Sequence, residues 1–454
     1  MGDISRRAVL GTCGTALTLG AGCLGDSTGS GNEPNSTDDG GSWESFRAGP
    51  SNAGIVETAA PRDEPAERWR IDLSPGPGTA AVSDGTAFLA AESALHALEV
   101  ESGEELWTVE FETERTGSPA VTDDAVVCPV GDGLVAVDRD GAEKRRIPFD
   151  SGETNASLLS QQQARPGPSS SPTVVDGTVY VGTPDGDLVA VSLADESVTW
   201  RSAATAGWTT FSQAQQSEAV VSSPAVVDGR VIVGTEAGVA AFDAADGSSE
   251  WTYGTERAVR SSPAVADGTV YVGGSTPIAI SMESGDLEWQ SNDAFETMSG
   301  RQTRPWVDAA NRQERTGMKP SVAVGEDIVV GHDPDDRLVA LERSDGSTRW
   351  EAPLEGVESI AAATADSTAA MGAGSSARVE PMTTQLAPSW SSPAITGDVV
   401  VVGTTQGIVA VSVTDGEGLW RIPTESRVVA SPAVADGTVV VGDDSGACYA
   451  LDES

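Results

Sequence analysis

The chain has 454 residues and a formal net charge of -42, from 69 acidic and 27 basic side chains; Lys144 and Lys319 are its only lysines. A field so acidic excludes nucleic acid as a partner, because phosphate binding needs a clustered cationic surface; it suits molar salt, where a Debye length of about 3 Å screens carboxylates from one another, the competing reading being attraction of a basic partner. Gly at 51 and Pro at 25, with turn dipeptides such as Asp176-Gly177 and Asp228-Gly229 and no long amphipathic pattern, exclude a helical fold and favour many short strands.

The chain opens with Ser5-Arg6-Arg7-Ala8-Val9-Leu10 and a weakly apolar stretch to Gly22, too short to span a bilayer and flanked like a signal peptide. Arg6 and Arg7 resemble the pair of a twin-arginine export signal, and Gly20-Ala21-Gly22-Cys23 resembles a lipobox with Leu19 one position early. Residues 1–22 are therefore read as a signal peptide, with Cys23 as the lipidated residue. The Gly/Ser/Thr/Asp-rich stretch from Asp26 to Ser42 is read as a flexible tether, giving 23–42 as the linker. The competing reading is an ordinary cleaved signal with an incidental cysteine. Asn35-Ser36-Thr37 and Asn155-Ala156-Ser157 make Asn35 and Asn155 candidate glycosylation sites. This reading predicts an exported protein at the cell surface, anchored to the outer leaflet of the cytoplasmic membrane.

From residue 43 onward one pattern recurs: Ser-Ser-Pro-Ala-Val-x-Asp-Gly, Val-x-Val-Gly-Thr, Leu-Val-Ala-Val, then Gly and, four residues later, Trp. In chain order the copies run Gly78–Trp107 (degraded), Ser118–Arg145 (Arg145 at the Trp position), Ser170–Trp200, Ser222–Trp251, Ser261–Trp289, Lys319–Trp350, Ser391–Trp420 and Ala430–Asp452. The last copy stops before its Trp strand. Each complete copy holds four β-rich runs, alternation shows in Val179-Tyr180-Val181, and Asp-Gly supplies the φ > 0 positions of tight hairpins.

Four antiparallel strands per unit, radially repeated, predict an all-β, eight-bladed β-propeller. Trp69-Arg70-Ile71-Asp72-Leu73 is a Trp strand with no unit of its own. It is predicted to pair with Ala430–Asp452, closing the ring and removing its sheet edges. Trp69, Trp107, Trp200, Trp251, Trp289, Trp350 and Trp420 are read as packing devices between blades, each burying area worth roughly 4–6 kcal/mol gross. Ile360–Gly374, a worn two-strand copy without a Trp, is read as an inserted hairpin.

Ala241-Phe242-Asp243 with Gly247 and Trp251 resembles the tryptophan-docking motif of quinoprotein alcohol dehydrogenases and their relatives, which include the lipoprotein of the bacterial barrel-assembly machine. Weaker forms are Ala340-Glu342-Gly346-Trp350 and Ala410-Ser412-Gly416-Trp420. Trp43-x-x-Phe46-Arg47, followed by Asn52 and Gly54, is similar to that family's opening segment. Residues 43–454 thus resemble a pyrroloquinoline-quinone-like (PQQ-like) repeat propeller, on a chain resembling a haloarchaeal-type twin-arginine lipoprotein. The resemblance speaks to fold more than to activity, because the repeat encodes packing.

The large insertions, about Phe149–Ser169, Ser202–Val220, Gln290–Met318 and Glu351–Pro388, all fall in links between blades. In a four-stranded blade those links share one face, where loops on a rigid scaffold carry binding. The third holds Arg301, Arg304, Trp306, Arg312 and Arg315, a cationic exception beside aromatics that marks a partner site; internal salt bridging to acidic loops is the competing reading. Trp208 and Trp390 extend the candidate rim, with loop packing as their other reading.

Catalytic signals are sparse. His96 sits in a strand's Tyr slot and is read as packed; His332 stands beside Asp333, Asp335 and Asp336 and is read as part of a solvated acidic turn, not a calcium site. Cys128 and Cys448 are read as buried thiols in non-adjacent units. The resemblance implies, for an enzyme, a quinone stacked on two adjacent cysteines, calcium held by Glu and Asn, and an Asp base; the chain has no Cys-Cys pair. The expectation is a monomeric, non-catalytic extracytoplasmic scaffold without cofactor or metal, held to the membrane by its lipid. It would bind a protein or surface polymer through the insertion-loop face. The rival is a PQQ- and calcium-dependent dehydrogenase.

Overall fold

The computed structural model describes residues 42–73, 76–113, 117–131, 133–142, 144–149, 170–183, 186–204, 220, 222–235, 237–255, 258–274, 276–291, 321–332, 337–354 and 391–453. They form eight four-stranded antiparallel sheets, the blades of a β-propeller. Blade 1 is Ala81–Ser83, Thr86–Ala91, Ala94–Glu99 and Glu105–Glu110, in order from the axis outward. Blades 2 to 7 repeat this order, their innermost strands being Ala120–Val121, Thr173–Val175, Ala225–Val227, Ala264–Ala266, Ala323–Val324 and Ala394–Thr396.

Blade 8 takes three strands from the C-terminus, Ala433–Ala435, Thr438–Gly442 and Ala447–Asp452, and its outermost from Ala66–Asp72. Trp69 pairs with Ala450 and Ile71 with Cys448, so the orphan Trp strand closes the ring as the repeat predicts. A two-residue strand, Ile55–Val56, adds a fifth strand to blade 7, parallel to Ile395–Thr396.

The middle strands of each blade are buried on both faces, which explains runs such as Val399-Val400-Val401-Val402 in place of alternation. The outermost strands alternate. In seven blades the register between third and fourth strands slips one residue beside the Trp, as between Ala97 and Leu98 or Ala279 and Ile280. Such a bulge re-aims a side chain. It turns the indole toward the next blade and leaves the bulged residue, such as Leu106, facing solvent. Blade 2 has Arg145 in place of Trp, and its register runs unbroken from Lys144 to Pro148.

The outer-strand indoles donate their Nε1–H across a blade boundary: Trp69 to Val100 O, Trp107 to Arg139 O, Trp200 to Ala244 O, Trp251 to Met282 O, Trp289 to Arg343 O and Trp350 to Val413 O, at 2.7–3.0 Å. Trp420 donates to Pro61 O at 2.7 Å. Each of these seven indoles therefore bonds beyond its own blade.

Candidate functional site

The second Ser of the Ser-Ser-Pro repeat has a task of its own. Each blade donates a backbone N–H, just before its innermost strand, to the matching hydroxyl of the next blade. The chain of bonds runs Thr79, Ser118, Ser171, Ser223, Ser262, Ser321, Ser392, Ser431 and back to Thr79, at 2.8–3.2 Å. Eight buried N–H groups that could not reach water are thereby satisfied, and the ring closes on itself. Sequence reading passed over this function, although the recurrence of that Ser was its signal. The degraded first copy still takes part, through Thr79.

Within the ring lies a belt made of residues 43–54. Its carbonyls accept N–H groups from equivalent positions of six innermost strands: Val82 to Trp43, Val121 to Glu44, Val226 to Pro50, Val265 to Ser51, Val324 to Ala53 and Ile395 to Gly54. The belt visits the blades in ring order and covers the free inner edge of each sheet it meets. Among the described residues it makes no such bond to blades 3 and 8; Val174 of blade 3 is partly exposed, whereas its counterparts, Val434 of blade 8 included, are buried.

Two side chains lock the belt. The Arg47 guanidinium, 1 % exposed, donates to Asn52 O, Pro393 O and Val322 O. These partners are neutral carbonyls, and burial lowers its pKa to about 9, so it keeps its charge at neutral pH. Asn52 Nδ2 donates to Ser223 O and Pro224 O in blade 4. Both residues adopt positive φ, 71° and 53°. Gly54 lies so close to Arg47 that a Cβ there would stand 2.0 Å from Nη2. The opening motif is thus an axial lock, a role its residue types did not disclose.

The partner site expected from sequence lies outside the described residues. That applies to Arg301, Arg304, Trp306, Arg312 and Arg315, to Trp208 and Trp390, to Arg6, Arg7, Cys23, Asn35 and Asn155, and to the Ile360–Gly374 hairpin. The strands that bracket the insertions are described. They end at Pro148, Ala203, Gln290 and Pro353 and resume at Thr173, Ala225, Ala323 and Ala394. All four gaps fall at one face of the propeller, where the hydroxyl ring also lies. The hairpins between first and second strands occupy the opposite face.

His332 requires a correction: its side chain is wholly buried and Nδ1 lies 3.2 Å from Ser391 O, so it is a packed residue between blades 6 and 7, not part of a solvated turn. A Thr at this position bonds within its own blade, as Thr235 does to Gly238 O; the longer imidazole reaches the neighbouring blade. His96 is more than packed. Its Nδ1 lies 3.0 Å from Glu105 Oε2 and 3.1 Å from Thr108 Oγ1, and this contact lowers the Glu105 pKa. Cys128 and Cys448 are fully buried and not disulfide-linked, in blades 2 and 8. Burial raises the Cys448 thiol to about 12.

A quinone held as the family resemblance implies does not fit the described residues. Cys128 and Cys448 stand in different blades, the belt takes the inner strand edges of six blades, and Arg47 donates to backbone carbonyls. Among the described residues, no three His, Cys, Asp or Glu side chains group to hold a metal ion. What the arrangement provides is a closed axis, in which Trp43 Nε1 and Asn52 Oδ1 alone of the belt's buried polar side-chain atoms lack a partner, beneath a face that carries the insertion links.

A family profile described as outer membrane protein assembly factor BamB matches residues 52–291, 205–371 and 370–454. No curated protein matches the chain significantly. Among solved structures, BamB from Moraxella catarrhalis is similar with a TM-score of 0.58 at 15% identity, over 86% of this chain and 99% of that one. The quinohemoprotein alcohol dehydrogenase ADHIIG from Pseudomonas putida HK5 is similar with a TM-score of 0.64 at 15% identity, over 91% and 80%. The computationally designed Ika8 protein has a TM-score of 0.58 at 14% identity, over 84% and 97%. At such identities the structural likeness concerns the fold, which BamB, a dehydrogenase and a design share.

Proposed function

The chain belongs to the family described as outer membrane protein assembly factor BamB, and from that premise we propose that it is a non-catalytic, extracytoplasmic scaffold, anchored through Cys23, that binds a protein or surface polymer through its insertion-bearing face. The observation behind this reading is the placement of the insertions. The described strand ends put all four long gaps at one face of a ring closed by hydroxyls, indoles and the belt. Variable loops on a rigid base are the usual form of a binding surface. The cationic third insertion, Arg301 to Arg315, offers a natural contact for a carboxylate-rich partner or an anionic polymer.

The test is deletion of Asn292–Thr316. Closing that link shorter changes loop entropy slowly, by about 0.6 kcal/mol per doubling of length, so the blades should stay folded. Capture from salt-grown membranes should then lose the partner that the intact protein retains. A deleted protein that folds and binds as before would move the site elsewhere. The dehydrogenase reading takes its support from fold likeness alone. Dye-linked alcohol or sugar oxidation by protein supplied with quinone and calcium would establish it instead. For the anchor, Cys23→Ser should release the protein or leave its precursor unprocessed, and Arg6→Lys with Arg7→Lys should block export.

A further inference from the structure

The belt reveals from which face the N-terminus departs. At Trp43 the chain forms an antiparallel bridge with Val82, each N–H donating to the other's carbonyl at 2.7 Å. The innermost strand Ala81–Ser83 runs from the insertion-bearing face to its hairpin at Asp84-Gly85. The antiparallel sense therefore places Ser42 toward the hairpin face. The other end of the belt agrees. Ile55–Val56 runs parallel to the innermost strand of blade 7 and so also heads for the hairpin face. There Ala59 lies against Gly397 and Gly437, and Ala60 N–H donates to Thr396 Oγ1 at 2.9 Å.

Building on the anchored-scaffold reading, we infer that attachment near the N-terminus turns the hairpin face of the propeller toward the membrane and presents the insertion-bearing face away from it, to a partner standing clear of the lipid. About twenty residues separate Cys23 from Trp43. A Gly/Ser-rich chain of that length would span roughly 25 Å root-mean-square and at most about 70 Å. The reversed orientation would carry the tether out across four strands at about 4.8 Å spacing and down a six-residue strand of about 20 Å. That path of roughly 40 Å exceeds the root-mean-square span, so it carries a cost in chain entropy that the direct route avoids. Surface charge opposes this orientation, and at molar salt it is screened within about 3 Å, which leaves the tether to decide. The eight first-to-second-strand hairpins, from Asp84 to Asp436, each expose an aspartate, which anionic lipid repels except where salt screens the charge.

The lipidated protein is floated on phospholipid vesicles carrying an energy-transfer acceptor, with a fluorophore on Glu283→Cys at the hairpin face or Gln406→Cys at the insertion-bearing face. Cys128 and Cys448 are buried and stay unlabelled. Transfer at position 283 should exceed that at 406 by about two-fold or more, the sites differing in height by roughly a strand length. Equal or reversed transfer overturns the orientation. If the protein does not float, the native anchor has failed but the orientation is still tested. The chain, with Cys13→Ser and Cys23→Ser, is then coupled to a maleimide lipid through Ser42→Cys, with the fluorophores introduced as unnatural amino acids. The same order upholds the inference, and equal or reversed transfer rejects it.

Discussion

Gly247 packs against Trp200 of the preceding blade, not against Trp251 four residues further along its own strand: a Cβ on Gly247 would stand 2.5 Å from Cε3 of that indole. The Gly-x-x-x-Trp spacing therefore records two different interfaces. The Gly receives the indole behind it, and the Trp enters the blade ahead. The same relation joins Gly103 to Trp69, Gly285 to Trp251 and Gly416 to Trp350.

Gly247→Ala should be severe for so small a change. The left-handed backbone, φ 71°, costs a Cβ about 1–2 kcal/mol, and overpacking against Trp200 adds about 1–3 kcal/mol. Trp289→Ala, which removes a nearly buried indole and its bond to Arg343 O, should cost about 3–5 kcal/mol. Urea unfolding of both variants measures this. A Gly247→Ala midpoint equal to wild type would mean that the indole shifts freely.

The seam between blades 2 and 3 lacks the device. Arg145 holds the Trp position with its Nε buried and unpartnered, and the Gly position that would receive its side chain is Glu196, held at φ 52°. The two departures belong together, since a glycine there has no indole to admit. Arg145→Trp combined with Glu196→Gly should raise stability by roughly 1–3 kcal/mol, and the double change should exceed the sum of the single ones. Additive effects in a double-mutant cycle would show that the two residues do not share an interface.

Arg47→Met should unlatch the belt. Three buried carbonyls lose their donor, an expected cost of about 3–5 kcal/mol. Gly54→Ala should mimic it by displacing the guanidinium. Hydrogen exchange at Val226, Val265, Val324 and Ile395, whose N–H groups the belt covers, should accelerate in both variants before global unfolding.

Lowering salt from molar to about 0.1 M lengthens the Debye length from about 3 to 10 Å, and 69 carboxylates against 27 cations then repel one another. The melting temperature should fall sharply. An unchanged value would argue that the charge serves a basic partner and not a salt-rich medium.

Acid sensitivity should depend on Arg349, which holds both Glu342 and Asp327. Hydrogen bonds from the guanidinium lower both carboxyl pKa values. A carboxylate with a depressed folded pKa stabilises the protein above its unfolded pKa and loses that contribution as pH falls through the folded one. Stability should therefore drop below about pH 4, and Arg349→Met should flatten that drop. The effect should be small and salt-dependent, since the pair is largely exposed. An identical acid limb in the variant would place the sensitivity elsewhere.

Fold and closure were legible in the sequence because they are written locally and repeatedly. Asp-Gly turns, four apolar runs per unit and one Trp per unit make blades, and an orphan Trp strand at 66–72 has no partner but the incomplete last copy. Even the worn first copy reads correctly, since repetition lets its neighbours supply the pattern. What the repeat could not disclose is which copies touch. That Gly247 serves Trp200, that Thr79 closes a ring begun at Ser431, and that His332 is buried against Ser391 are facts about neighbouring blades. The axial lock was hidden for a related reason. Trp43, Arg47, Asn52 and Gly54 occur once, so no periodicity marks them, and their partners are backbone carbonyls at positions 223, 224, 322 and 393, which every residue type possesses. Only closure of the ring gathers those carbonyls around one axis, where a guanidinium and an amide can bond to them.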